Sequence, residues 1–215
     1  MKRVKLFFTP LFIILDYLIV GALIYILTFV PDMLIRRNFM DFIDRQWGML
    51  SYHSQLTAKH PYSSPWWSWP VISRPVWLYV ANLPNGMVST IASMGNPAIW
   101  WAGLFFIILA VLKMIEKRDK VCLFIVVLFL FQWLPYAIIT RCLFLYHFYI
   151  NVPFMILAIT YFVNKYWNER GEKIFILIYL LVTAVFFALF YPVISGHPIS
   201  YSWKEFLRFF RGWAF

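Results

Sequence analysis

Five apolar runs decide what this 215-residue chain can become: 6–30, 98–112, 121–139, 142–163 and 174–194. About 20 apolar residues at 1.5 Å rise cross a ~30 Å hydrocarbon core, so runs of this length predict membrane-spanning helices. Composition agrees, because 63% of residues are hydrophobic and only 13% charged. A soluble domain carries roughly 45–50% apolar and about 25% charged residues. This chain cannot cover its apolar surface with polar groups, which excludes a soluble fold. The expected class is an all-α integral membrane bundle of about five transmembrane helices. The first run follows Met-Lys-Arg-Val-Lys and exceeds the 7–15 residues of a signal h-region, so it reads as an uncleaved signal anchor. Gly95-Asn96-Pro97 fixes the start of the second and shortest run.

Lys and Arg near helix ends set orientation. A cytoplasmic N-terminus puts ten basic residues inside, packed into three short segments, including 113–120 and 164–173. Nine basic residues then lie outside, mostly in the loop 31–97 and the tail 195–215. The rule has most force in short segments, so the expected topology is N-terminus in, C-terminus out, in the cell membrane. The net charge of +10 fits anionic headgroups or phosphate-bearing ligands. No nucleic-acid motif accompanies it.

The outer loop has two parts. Ile35–Leu50 places apolar residues at 35, 39, 42, 43, 47 and 50 and polar ones between them, which predicts an extracytoplasmic interfacial helix. His60–Trp77 then holds four prolines and four tryptophans, a density that excludes regular helix. Trp66, Trp67 and Trp69 suit the headgroup layer, where an apolar ring can carry one hydrogen-bonding N–H.

Asp16 lies mid-span, where an ionisable group costs about 2.5–3.5 kcal/mol on insertion scales and is a functional suspect; a carboxyl paired to a neighbouring helix or held protonated is the alternative. His60, Arg74, Arg141 and His147 are the cationic or titratable groups expected near the outer interface. An arginine fork matches two phosphate oxygens at once, while snorkelling to phospholipid headgroups is the plainer role for Arg141. On an α-helix His147 and Asn151 share a face. Cys122 and Cys142 form neither a CxxC pair nor a metal-ligand spacing. Walker, HExxH and GxSxG patterns are absent from the sequence.

Three stretches in order resemble the C-terminal membrane region of the protein O-mannosyltransferases. They are HPYSSPWWSWPVISRP (His60–Pro75), MGNPAIWW (Met94–Trp101) and QWLPYAIITRCLFLYHFYINVPF (Gln132–Phe154). Phe148 stands where a second Tyr is looked for, with Tyr149 adjacent. The resemblance implies a single C-terminal membrane domain over 1–215, of GT-C type. It implies a role in moving mannose from polyprenyl-phosphate-mannose to Ser/Thr of exported proteins, with no metal or cofactor. Donor phosphate or sugar would meet Arg74, Arg141, His147, His60 and Tyr146. Trp66, Trp67, Trp69, Asn96 and Trp100 would shape the loop and its interface.

The family's Asp-Glu acid pair belongs to its N-terminal half. The acids expected outside here, Asp32, Asp41, Asp44 and Glu205, form no such pair. An inverting transfer needs a general base within hydrogen-bond reach of the acceptor, so no catalytic residue is assigned to this chain. A membrane partner supplying the N-terminal half is expected. The rival readings are a catalytically silent membrane subunit that binds a lipid-phosphate carrier or stabilises a partner, and a related transferase of another sugar.

Topology is directly checkable. A cysteine placed at position 117 should resist a membrane-impermeant reagent in intact cells, and one in 31–97 should react. Labelling of position 117 from outside would overturn the orientation.

Overall fold

A computed structural model describes residues 2–36, 40–166 and 170–215. It forms two compact units, Met1–Leu56 and Thr57–Phe215.

The first unit contains α1 (Lys2–Thr28), α2 (Val30–Arg36) and α3 (Met40–Gln55). The leading apolar run becomes α1. Tyr25 Oη donates to Gln46 Oε1 at 2.5 Å, the Phe29 and Phe42 rings meet edge-on at 5.2 Å, and Arg45 pairs with Asp32. These contacts return α3 onto the end of α1. Within the 35–50 stretch where an interfacial helix is expected, helix is found at Met40–Gln55; positions 37–39 of that expectation lie outside the described residues. Phe42 is buried while Trp47 and Leu50 are exposed.

Four helical segments of the second unit are long and apolar enough to cross a membrane: Pro97–Lys117, Lys120–Ile138, Leu145–Asn164 and Lys173–Ser195. Their boundaries follow from capping chemistry. Asn96 Oδ1 accepts the Ala98 N–H at 2.9 Å and Pro97 opens α4 (Pro97–Lys117), whose first-turn N–H groups have no helical partner. This helix runs five residues beyond the expected 98–112, because Lys113-Met114-Ile115-Glu116-Lys117 continues it. Asp119 Oδ1 then accepts from Val121 and Cys122 to start α5 (Lys120–Trp133).

The third and fourth runs need correction. Pro135 cannot donate to a helical ladder, so α5 gives way to a 3-10 turn, Leu134–Ile138. Residues 139–144 are non-helical with a bend at Arg141, and helix resumes as a second 3-10 segment, Leu145–Asn151, before α6 (Val152–Tyr166). Arg141 therefore sits in a non-helical connection and opens no helix. His147 and Asn151 do not share a face either, since a 3-10 helix turns about 120° per residue and aligns i with i+3.

Helix α4 packs most extensively on α6, and Gly103 explains why: a Cβ there would lie 2.7 Å from the Met155 side chain. Small residues let membrane helices approach in this way. Helix α7 (Arg170–Ser195) joins them through Asn96 Nδ2, which donates to the Thr183 carbonyl at 3.0 Å. At the far end of α4, Lys113 Nζ donates to Tyr161 Oη at 2.6 Å and lies 3.3 Å from Asp119, and the Tyr161 hydroxyl donates to that carboxylate.

The segment between the first unit and α4 is not purely helical. Strands β1 (Val76–Leu83) and β2 (Met87–Ser93) form an antiparallel hairpin, and β2 also pairs with β3 (Ile199–Ser200). Pro84-Asn85-Gly86 makes the turn, with Asn85 and Gly86 both at positive φ. The tail is packed as well. After α8 (Tyr201–Phe206), Trp213 is fully buried and donates to the Ile72 carbonyl at 2.6 Å.

The Asp119 carboxyl is held well below the usual carboxylate range, first by the Tyr161 hydroxyl, then by the Cys122 N–H and the Lys113 ammonium. Its folded-state pKa is depressed, so its stabilisation is present above the ordinary value of about 4 and is lost as pH falls further. Asp119→Asn should lower the melting temperature at neutral pH. It should also flatten the loss of stability below pH ~4, as read by thermal unfolding in detergent.

Candidate active-site face

The residues of His60–Pro75 fold onto the end of the bundle because they have partners there. The Ser64 N–H donates to the Leu143 carbonyl at 2.9 Å, and Trp133 Nε1 donates to the Trp66 carbonyl at 2.9 Å. Trp69 is fully buried, gives its indole N–H to Ser64 Oγ at 3.1 Å, and closes the 3-10 segment Trp66–Val71 against Tyr136. Trp66 meets Trp133 edge-on at 5.3 Å. Trp67, between them in sequence, is 64% exposed. The three tryptophans are therefore not equivalent: two anchor the segment and one faces outward.

From Trp69 a stack of rings leads to the surface. His147 lies parallel to Trp69 at 5.9 Å, Tyr146 stacks on His147 at 4.6 Å, and Phe144 stacks on Tyr146 at 5.3 Å. His60 meets Phe144 edge-on at 5.1 Å. His147 Nδ1 is engaged by the Phe144 backbone at 2.9 Å from its carbonyl, which sets the ring plane. His60 Nδ1 accepts the Tyr62 N–H at 3.2 Å, so its remaining proton is on Nε2. Arg74 is exposed and tethered, with Nη1 donating to the Pro61 carbonyl at 2.9 Å.

The structure thus brings His60, Tyr146, His147 and Trp69 into one aromatic and imidazole surface, with Arg74 bound to the same loop. Arg141 is half-buried in the connection leading into it. Asn96 and Trp100 lie elsewhere. Asn96 caps α4 and ties it to α7, and Trp100 is buried against Phe148 and Tyr149. Gly95 permits this arrangement, because a Cβ there would fall 2.0 Å from the Trp100 ring.

Phe144 and Tyr136, which join the stack, were not singled out by sequence reasoning; both lie inside the third family-like stretch, so the signal was present. In the first unit, Asp41, Asp44, Arg45 and His53 line a hollow of about 540 Å³. The Arg45 pKa is raised chiefly by its hydrogen bond to Asp32. Asp16 makes no hydrogen bond or ion pair among the described residues. Among the described residues no group of three His, Cys, Asp or Glu side chains comes together to hold a metal.

Residues 38–213 match the family model described as the C-terminal four TMM region of protein-O-mannosyltransferase. The chain belongs to the protein O-mannosyltransferase family. The four segments between 97 and 195 that are long and apolar enough to cross a membrane, among the described residues, agree in number with that description. Among protein O-mannosyltransferase relatives, the polyprenol-phosphate-mannose–protein mannosyltransferase of Mycobacterium tuberculosis is 28% identical over 169 residues, covering 69% of this chain and 32% of that protein. The enzyme of that name from Corynebacterium glutamicum is 26% identical over 186 residues, covering 77% and 35%. Dolichyl-phosphate-mannose–protein mannosyltransferase 1 of Saccharomyces cerevisiae is 26% identical over 199 residues, covering 81% and 24%. The chain spans about a third of the length of the curated bacterial relatives it matches. The fold also matches the solved S. cerevisiae Pmt1-Pmt2 complex bound to the sugar donor, at a TM-score of 0.69 and 22% identity, over 83% of this chain and 27% of that one.

The two neighbouring tryptophans provide a test of this geometry. Trp69→Ala should cost about 3–5 kcal/mol in thermal unfolding in detergent. Trp67→Ala should stay within about 0.5 kcal/mol. Equal effects would contradict the seating of the segment.

Proposed function

We propose that this chain is the C-terminal membrane part of a protein O-mannosyltransferase and contributes a donor-binding surface for transfer of mannose from polyprenyl-phosphate-mannose to Ser/Thr of exported proteins. The observation that carries the reading is the continuous stack His60–Phe144–Tyr146–His147–Trp69, built from two of the three family-like stretches, with Arg74 fastened beside it. Aromatic faces suit the C–H faces of a sugar ring, and guanidinium forks suit its phosphate. Arg74 and Arg141 would take the phosphate, His60, Tyr146 and His147 the sugar side, and the lipid tail would follow the helices.

The catalytic base would come from the N-terminal part of the enzyme, outside these 215 residues, because none of Asp32, Asp41, Asp44 and Glu205 belongs to an Asp-Glu pair. In this reading the N-terminus and the loop 113–120 face the cytoplasm, and the ring stack faces the other side. A membrane partner or a longer chain carrying the first helices completes the enzyme.

Donor binding by the purified chain separates this from an inert subunit. Lysine cannot reproduce two parallel charge-assisted hydrogen bonds, each worth about 1.5–3 kcal/mol. Arg74→Lys and Arg141→Lys should therefore each weaken binding of a short-chain polyprenyl-phosphate-mannose at least ~10-fold, with melting curves close to wild type. Unchanged affinity in both folded variants would remove the donor site from this surface.

A further inference from the structure

At the opposite end of α4 from the ring stack, a groove of about 510 Å³ runs between α5 and α6. We propose that this groove is a specific binding site for an anionic phospholipid, with the phosphate at Lys113, Thr160 and Asn164 and an acyl chain against Val121, Phe124 and Leu157. The inference does not depend on the donor-binding reading.

The lining is graded along the groove. Lys113, Thr160 and Asn164 bring donors to one end, on the last turns of α4 and α6. Leu157 lies about one to two turns from Thr160 and Asn164 along α6, and Phe124 about one turn into α5; they are 46% and 60% exposed. An apolar trough with a polar mouth, open to the side along helices long enough to span a bilayer, receives its occupant from the bilayer. A soluble metabolite would leave the trough empty, and a peptide would bring unpaired backbone groups into it.

Charge selects the lipid. The segment 113–120 carries Lys113, Lys117, Arg118 and Lys120 against Glu116 and Asp119, a net of two positive charges. Asp119 already offsets Lys113, so the surplus lies on exposed Lys117, Arg118 and Lys120, in the connection that joins the lining residues Lys113 and Val121. A zwitterionic headgroup brings its own cation and gains little there. An anionic one gains roughly fivefold in binding per nearby basic residue.

Lys113 is also held in place before any lipid arrives. Its ammonium donates to Tyr161, faces Asp119, and sits over the Tyr161 ring at 4.4 Å and the Phe162 ring at 5.6 Å. One of its three N–H groups serves Tyr161 and Asp119 lies in ion-pair range, so donor capacity remains for a ligand. Little side-chain entropy remains to be lost on binding.

The test uses the full chain in nanodiscs of phosphatidylcholine and phosphatidylglycerol, with the lipids that survive extraction counted by native mass spectrometry. Phosphatidylglycerol should be retained over phosphatidylcholine by at least ~10-fold. Leu157→Trp, which fills the trough, should abolish that preference. Lys117→Gln with Lys120→Gln, which leaves the Lys113–Tyr161–Asp119 contacts intact, should reduce it several-fold. Lys113→Gln should act in the same direction, and if it fails to fold, the double variant decides. Excess inorganic phosphate should not displace the lipid; displacement would mean a site for free phosphate and would overturn the proposal. Equal retention of both lipids, or wild-type preference in Leu157→Trp, would overturn it too.

Discussion

Trp69 is where the segment 60–75 and the apolar helices of the second unit become one body. It is fully buried, with its indole N–H satisfied by Ser64 and its faces covered by Tyr136, Phe148 and His147. The segment 60–75 is too rich in proline to hold itself together by backbone ladders, so side-chain anchorage must substitute. Trp66 and Trp213 extend the same solution, each linking an indole contact or N–H to a distant backbone carbonyl or ring. Without that anchorage the stack from His147 to His60 would have no floor.

Two of the polar contacts between helices are made by residues at helix starts, Asn96 before α4 and Asp119 before α5, which is where an apolar bundle can place them at low cost. Asn96 and Asp119 each cap a helix with one oxygen and reach a neighbouring helix with the rest of the side chain. The first ties α4 to α7 at one end, and the second ties α4 and α5 to α6 at the other. Since lipid and leucine are equally apolar, burial alone does not hold such helices together, and close packing plus a few interhelical hydrogen bonds must. Gly103 against Met155 is the packing counterpart of these clamps.

Much of this could be read from residues alone, and the misses share a cause. The four apolar segments, the asparagine that starts α4 and the family-like stretches were legible because each is a local property. Leu83-Pro84-Asn85-Gly86-Met87 between alternating residues is a local hairpin signal too. It lies inside the stretch 31–97, whose tryptophans and prolines otherwise point to an irregular loop. The α-helical pairing of His147 with Asn151 fails because Leu145–Asn151 is a 3-10 segment, in which residues four apart do not align.

What the sequence by itself determined is the solvent and the number of apolar crossings from Pro97 onward, because hydrocarbon thickness selects run length one segment at a time. It also carried the family membership, through residue types at particular spacings. What only the tertiary structure decided is which neighbours are buried: Trp69 rather than Trp67, and Trp100 in the core while Tyr146 stays 41% exposed. Burial of a given ring depends on partners 60 to 80 positions away, such as Tyr136 and His147 for Trp69. No local pattern encodes that distance, so the shape of the candidate site appears only when the chain is folded.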